Sequence, residues 1–107
     1  MTPESIRLQM AQVGREQSKA HDAIQQLEID AERAEILAQS LMDKTFLTSE
    51  GNIEEKKALA REKALEARDA AVIARAKYNR AKMKSKFLEN ESMRLQSILK
   101  SVQLEGA

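Results

Sequence analysis

The segment Thr48-Ser49-Glu50-Gly51-Asn52 divides the sequence into two long stretches that favour helix. Gly51 has the conformational freedom to adopt the left-handed backbone that commonly ends a helix. Asn52 is a favourable helix N-cap, and Glu55 follows three residues later, which is the spacing of a capping box. The segment therefore predicts that one helix ends and a second begins within these five residues.

The stretches on either side are almost free of helix-breaking residues. Pro3 is the only proline, and it follows Thr2 in the order of an N-cap and a first helical residue. Gly14 is the only glycine before the turn, and it costs a helix about 1 kcal/mol relative to alanine. We predict a helix over about residues 3–48, a turn over about 49–52 and a helix over about 53–104.

Small and apolar residues recur in both stretches at alternating steps of four and three, which is the repeat of a coiled coil. We call these positions the seam: Ile6, Met10, Val13, Gln17, Ala20, Ile24, Leu27, Ala31, Ala34, Ala38 and Leu41, then Ile53, Lys57, Ala60, Ala64, Ala67, Ala71, Ala74, Tyr78, Ala81, Ser85, Leu88, Ser92, Leu95, Leu99 and Val102. If the chain folds back at Gly51, facing residues have numbers that sum to about 102. Alanines then face alanines near the turn, and large aliphatic residues face each other further away. The expected fold is all-α, with residues 1–107 as a single antiparallel coiled-coil hairpin.

Further apolar residues lie outside the seam and would be exposed to solvent in an isolated hairpin. Their number indicates self-association into a homo-oligomer, or a partner's docking site. The candidate interface residues are Ile36, Leu65, Val72, Ile73, Met83 and Phe87.

The composition excludes several classes of function. Aromatic residues make up 3% of the chain and charged residues 33%, which fits a thin helical structure better than a thick globular core. There is no cysteine, and His21 is the only histidine, interpreted as a solvated helix residue. No catalytic constellation, phosphate loop or metal-ligand spacing appears. We expect no enzymatic activity, no cofactor and no metal. Because no apolar run reaches membrane-spanning length, we also expect a cytoplasmic protein without a membrane partner.

One stretch of the second helix is strongly basic. No acidic residue occurs between Asp69 and Glu89, and we call its six cationic residues the basic window: Arg75, Lys77, Arg80, Lys82, Lys84 and Lys86. These residues could follow a phosphate backbone, and Phe87 could stack on a base or instead be packed. In the alternative interpretation, Glu16, Asp22 and Glu28 of the first helix neutralise some of the cluster.

Residues 46–60, from Phe46 through Gly51 to Ala60, resemble a family of small helical-hairpin proteins encoded by bacteriophages. The stretches Lys86-Phe87-Leu88 and Leu95-Gln96-Ser97-Ile98-Leu99-Lys100 are similar to the C-terminal part of phage recombination mediators. This resemblance implies a small oligomeric protein in the host cytoplasm. It also implies binding to single-stranded DNA and the loading of a recombinase onto strands coated by single-strand-binding protein.

Three functions compete. The first is a phage-type recombination accessory protein that binds single-stranded DNA without sequence preference. The second is a protein-binding helical module, an inhibitor or adaptor of a host or phage enzyme, that uses the apolar residues outside the seam. The third is a structural or scaffolding coiled coil.

Overall fold

The computed structural model describes residues 2–105 and is all-helical in that range. Helix accounts for 94% of these residues, and no strand occurs among them. The helices are α1 (Pro3–Thr48), α2 (Ile53–Lys63) and α3 (Leu65–Glu105). The prediction of an all-α chain is confirmed. None of the helices described is long and apolar enough to cross a lipid bilayer.

Helix α1 begins at a reciprocal cap formed by Thr2 and Ser5. The Ser5 backbone N–H donates to Thr2 Oγ1 at 3.1 Å, and the Thr2 backbone N–H donates to Ser5 Oγ at 3.2 Å. Pro3 occupies the first helical position, where a missing N–H costs nothing. The cap thereby satisfies donors that would otherwise have no partner in the first turn.

The turn between α1 and α2 has the chemistry that its sequence indicates. Gly51 has a positive φ of 112°, and a Cβ atom at this position would collide with the Glu55 carboxylate. Asn52 caps α2, since its Oδ1 accepts from the Glu55 backbone N–H at 2.9 Å. The Glu55 carboxylate in turn accepts from the Asn52 side-chain amide at 3.2 Å. Only glycine fits this geometry without strain, because other residues rarely adopt a positive φ.

The second helical stretch is interrupted at Ala64, whereas the sequence analysis expected one continuous helix. Ala64 has φ −93° and ψ 2°, which separates α2 from α3. The hydrogen-bond pattern nevertheless continues, because Ala64 N–H donates to the Ala60 carbonyl at 3.1 Å and Arg68 N–H donates to the Ala64 carbonyl at 2.8 Å. No sequence signal marks this position, since alanine is the strongest helix former.

The chain forms two compact units. The terminal unit combines the residues up to Gln25 with those from Arg80 onward, and the central unit comprises Gln26–Asn79. In the terminal unit, large aliphatic residues of α1 and α3 form a core, with Ile6 and Leu95 almost completely buried. In the central unit, the buried residues are alanines: Ala31, Ala38, Ala60, Ala64 and Ala71.

Every buried hydrophobic residue among those described occupies a seam position. In α1 all seam residues are buried or half-buried, and in the second stretch the same holds from Ala60 onward. Ile53 and Lys57 are the exceptions, since both are exposed. They lie in the first two turns of α2, directly after the turn. The seam thus identifies the packed stripe of each helix except at the start of α2.

Candidate nucleic-acid interface

The basic window lies entirely on α3, but its members belong to different units. Arg75 and Lys77 lie in the central unit, whereas Arg80, Lys82, Lys84 and Lys86 lie in the terminal unit. Each group is therefore described within its own unit.

In the central unit, Arg75 is held by contacts within the protein. Its Nε donates to Glu35 Oε1 at 2.7 Å, and its Nη2 contacts the same oxygen. Its guanidinium carbon lies 5.3 Å from the centroid of the Tyr78 ring, within cation–π range. Arg75 is thus largely neutralised and is a poor candidate for a phosphate contact.

The carboxylate that neutralises Arg75 is not one that the sequence analysis considered. Within residues 2–105, neither Glu16, Asp22 nor Glu28 forms an ion pair. Glu16 nevertheless lines a groove together with Lys84, so partial neutralisation of the basic window by these three residues stays a prediction. Glu35, seven residues beyond Glu28 on α1, forms an ion pair with a member of the window, Arg75.

In the terminal unit, the four cationic residues of the basic window are all exposed. Lys86 Nζ lies 4.0 Å from Glu89 Oε2, at the limit of an ion pair between two highly exposed side chains. Within the described residues, no carboxylate lies within ion-pair distance of Arg80 or Lys84. These two cations are four positions apart and therefore share one face of α3.

Phe87 and Met83 are exposed on the same part of α3. The exposed fraction is 65% for Phe87 and 73% for Met83. Phe87 follows Lys84 by three positions and Arg80 by seven, so the three residues share one face of α3. An exposed ring next to unpaired cations is the arrangement used to bind single strands, where bases stack and phosphates pair.

A groove between α1 and α3 of the terminal unit adds a cation that the sequence analysis missed. The groove encloses about 400 Å³ and is lined by Glu16, Lys19, Ala20, Ala23, Ala81 and Lys84. No run of basic residues marks Lys19 in the sequence, because Glu16 and Asp22 flank it. The register rule could have found it, since the numbers of Lys19 and Lys84 sum to 103.

The two units differ in formal charge. The terminal unit has nine Lys and Arg residues against six Asp and Glu residues, a net charge of +3. The central unit has nine against eleven, a net charge of −2. The net +1 of the whole chain therefore conceals a local excess of positive charge around Arg80 and Lys84, which favours anionic ligands.

Glu91, Arg94 and His21 of the terminal unit have local partners. Arg94 donates from Nε to Glu91 Oε2 at 3.1 Å, and this hydrogen bond lowers the pKa of Glu91 and raises that of Arg94. His21 is exposed, with Gln25 Nε2 3.5 Å from its Nε2. The described part of the chain contains no cluster of acidic, histidine or cysteine side chains arranged to hold a metal ion.

The six candidate interface residues are all exposed. Ile36, Leu65, Val72 and Ile73 belong to the central unit, and Met83 and Phe87 to the terminal unit. Their exposed fractions run from 55% at Leu65 to 73% at Met83. Four of the large apolar side chains that the central unit exposes to solvent therefore belong to the candidate set, and the core of alanines does not cover them.

Comparison of the chain with models of protein families, with curated proteins and with solved structures gives no match in any of the three.

Proposed function

We propose that this chain is a non-enzymatic accessory protein that binds single-stranded DNA. The binding surface is the face of α3 in the terminal unit that carries Arg80, Lys84 and Phe87. The observation that carries the proposal is the unpaired, exposed pair Arg80 and Lys84 beside the exposed ring of Phe87. Affinity would be mainly electrostatic, with base stacking on Phe87, and independent of sequence. Within this proposal, the resemblance to phage recombination mediators suggests a role in loading a recombinase onto strands in the host cytoplasm.

The proposed fold is an antiparallel coiled-coil hairpin. Two observations, one in each unit, support it. In the terminal unit, Ile6 and Val13 of α1 cluster with Leu88 and Leu95 of α3. In the central unit, Glu35 of α1 pairs with Arg75 of α3. Early residues of α1 thus contact late residues of α3, and later residues of α1 contact earlier residues of α3, as opposite helix directions require.

Binding is tested by fluorescence anisotropy with a labelled single-stranded oligonucleotide at low and moderate salt. We expect the dissociation constant to rise steeply with salt, because each phosphate contact releases counterions and adds about −0.7 to the logarithmic slope. Replacing Arg80 and Lys84 together with glutamine should weaken binding and reduce the size of the slope by about 1.4. Glutamine keeps the helix propensity of both positions, so the fold should be unaffected.

The matched control replaces Lys57 and Lys63 with glutamine. This variant loses the same charge from exposed positions of α2, where Glu54, Glu55 and Glu62 intersperse the lysines. We expect a smaller effect on affinity than from the Arg80 and Lys84 pair. No binding by the wild type at low salt, where electrostatic attraction is strongest, contradicts the proposal.

A protein-binding role is the second candidate, favoured by the exposed side chains of Ile36, Leu65, Val72 and Ile73. We propose that a second copy of the chain covers them, because burying apolar surface contributes about 25 cal/mol per Å². Sedimentation at micromolar concentration should then give a mass above 12.0 kDa. The double variant Ile36→Asp, Ile73→Asp should sediment at a lower mass than the wild type and retain the helix content of the wild type. A strictly monomeric wild type excludes the homo-oligomer and favours a different protein partner at these residues.

A further inference from the structure

The groove of the terminal unit combines two lysines from different helices around a floor of small side chains. Glu16, Lys19 and Ala23 lie on successive turns of one face of α1, and Lys84 comes from α3. Ala20 and Ala81 are half-buried at the base of the groove. Because alanine side chains are short, the space between the two lysines is left open to a ligand.

The charges of the groove suit a singly charged anion. Lys19 and Lys84 contribute two positive charges, and Glu16 contributes one negative charge, so the groove is formally +1. Within the described residues, neither lysine has a carboxylate within ion-pair distance. The Glu16 carboxylate instead accepts a hydrogen bond from Gln12 Nε2 at 3.4 Å. The two ammonium groups are thus available, while Glu16 opposes a second negative charge.

We propose that this groove seats one interior phosphodiester of a single strand between Lys19 and Lys84, an assignment that rests on the proposed function. An interior phosphodiester has a single negative charge, which balances the formal +1 of the groove, whereas a terminal phosphate has about −1.5 to −2 at neutral pH and would leave excess negative charge there. Phe87 lies one helical turn beyond Lys84, where it offers a stacking surface to a neighbouring base. Lys19 is thereby a binding residue on α1, outside the basic window.

The first test replaces Lys19 with glutamine in the full chain and repeats the anisotropy titration. The variant should bind more weakly, and the size of its salt slope should fall by about 0.7, the contribution of one phosphate contact. Arg7→Gln is the control, because Arg7 is also an exposed cation of α1 in the terminal unit but does not line the groove. An equal effect of both variants would show that only the net charge of the unit matters and would overturn the assignment.

The second test fills the groove without changing its charge. Ala23 is exposed at the groove, so Ala23→Leu should fold normally and yet weaken oligonucleotide binding. Ala11→Leu is the control, since Ala11 is exposed on α1 and does not line the groove. Wild-type affinity in the Ala23→Leu variant would overturn the proposal, because a seated phosphodiester needs the space that leucine takes.

The third test distinguishes a strand from free phosphate. Inorganic phosphate should compete with the oligonucleotide no better than chloride at equal ionic strength, and a 5′-phosphate on the oligonucleotide should not raise affinity. Stronger competition by phosphate would assign the groove to a free or terminal phosphate. If the wild type binds and Arg80 and Lys84 matter while Lys19 and Ala23 do not, the groove assignment fails and the proposed function stands. If the wild type does not bind at all, both fail.

Discussion

Leu95→Ala is expected to destabilise the protein by about 2–5 kcal/mol, the usual cost of removing a fully buried leucine side chain. Leu95 is 1% exposed and packs in the core cluster with Ile6, Val13 and Leu88. Among the described residues of the terminal unit, these four large side chains form the buried core, so removing one of them removes a large share of its buried apolar surface. Urea unfolding followed by circular dichroism, at one fixed protein concentration, measures the change in the free energy of unfolding.

The matched control for this prediction is Leu8→Ala. Leu8 is the same residue type in the same unit, but it is 67% exposed. Substitutions at such exposed sites usually change stability by no more than about 0.5 kcal/mol. Similar losses from the two variants would mean that the seam is not the packed stripe of α1 and α3.

Ala31→Leu is expected to destabilise the central unit by about 1–3 kcal/mol, because three more side-chain carbons must enter a space that alanine already fills. Ala31 is 0% exposed, and the buried residues of the central unit are all alanines. Thermal unfolding monitored by circular dichroism should show a lower melting temperature.

Ala76→Leu is the control for overpacking, since Ala76 is an exposed residue of α3 in the central unit. Leucine and alanine are both strong helix formers, so the exposed substitution should change stability little. A gain in stability from Ala31→Leu would contradict close packing at Ala31 and would indicate a cavity there.

The helical class could be predicted from the sequence because its signals are local. Thr2 with Pro3 marks one helix start, and Gly51 with Asn52 marks the turn; each acts on neighbouring backbone groups. The seam could be predicted because burial follows the helical repeat. The interruption at Ala64 could not be predicted, because it depends on backbone geometry that alanine does not signal.

The candidate site was only partly predictable, because ion pairing depends on contacts between residues far apart in the sequence. Arg75 and Lys84 look alike in the basic window, yet Arg75 is paired with Glu35, forty residues away, and Lys84 is not paired. Lys19 belongs to the groove for the same kind of reason, since it lines the groove with Lys84, sixty-five residues away in the sequence. A run of basic residues in the sequence therefore wrongly includes Arg75 among the cations available to bind a phosphate, and it leaves out Lys19.

Lysine footprinting tests the central claim most directly. The protein is acetylated with and without saturating single-stranded oligonucleotide at low salt, and the modified lysines are quantified by mass spectrometry. Our account predicts that the strand protects Lys84 and Lys19, while Lys57 and Lys63 are acetylated equally in both samples. Equal acetylation of Lys84 and Lys19 with and without the strand, or protection confined to Lys57 and Lys63, would contradict it.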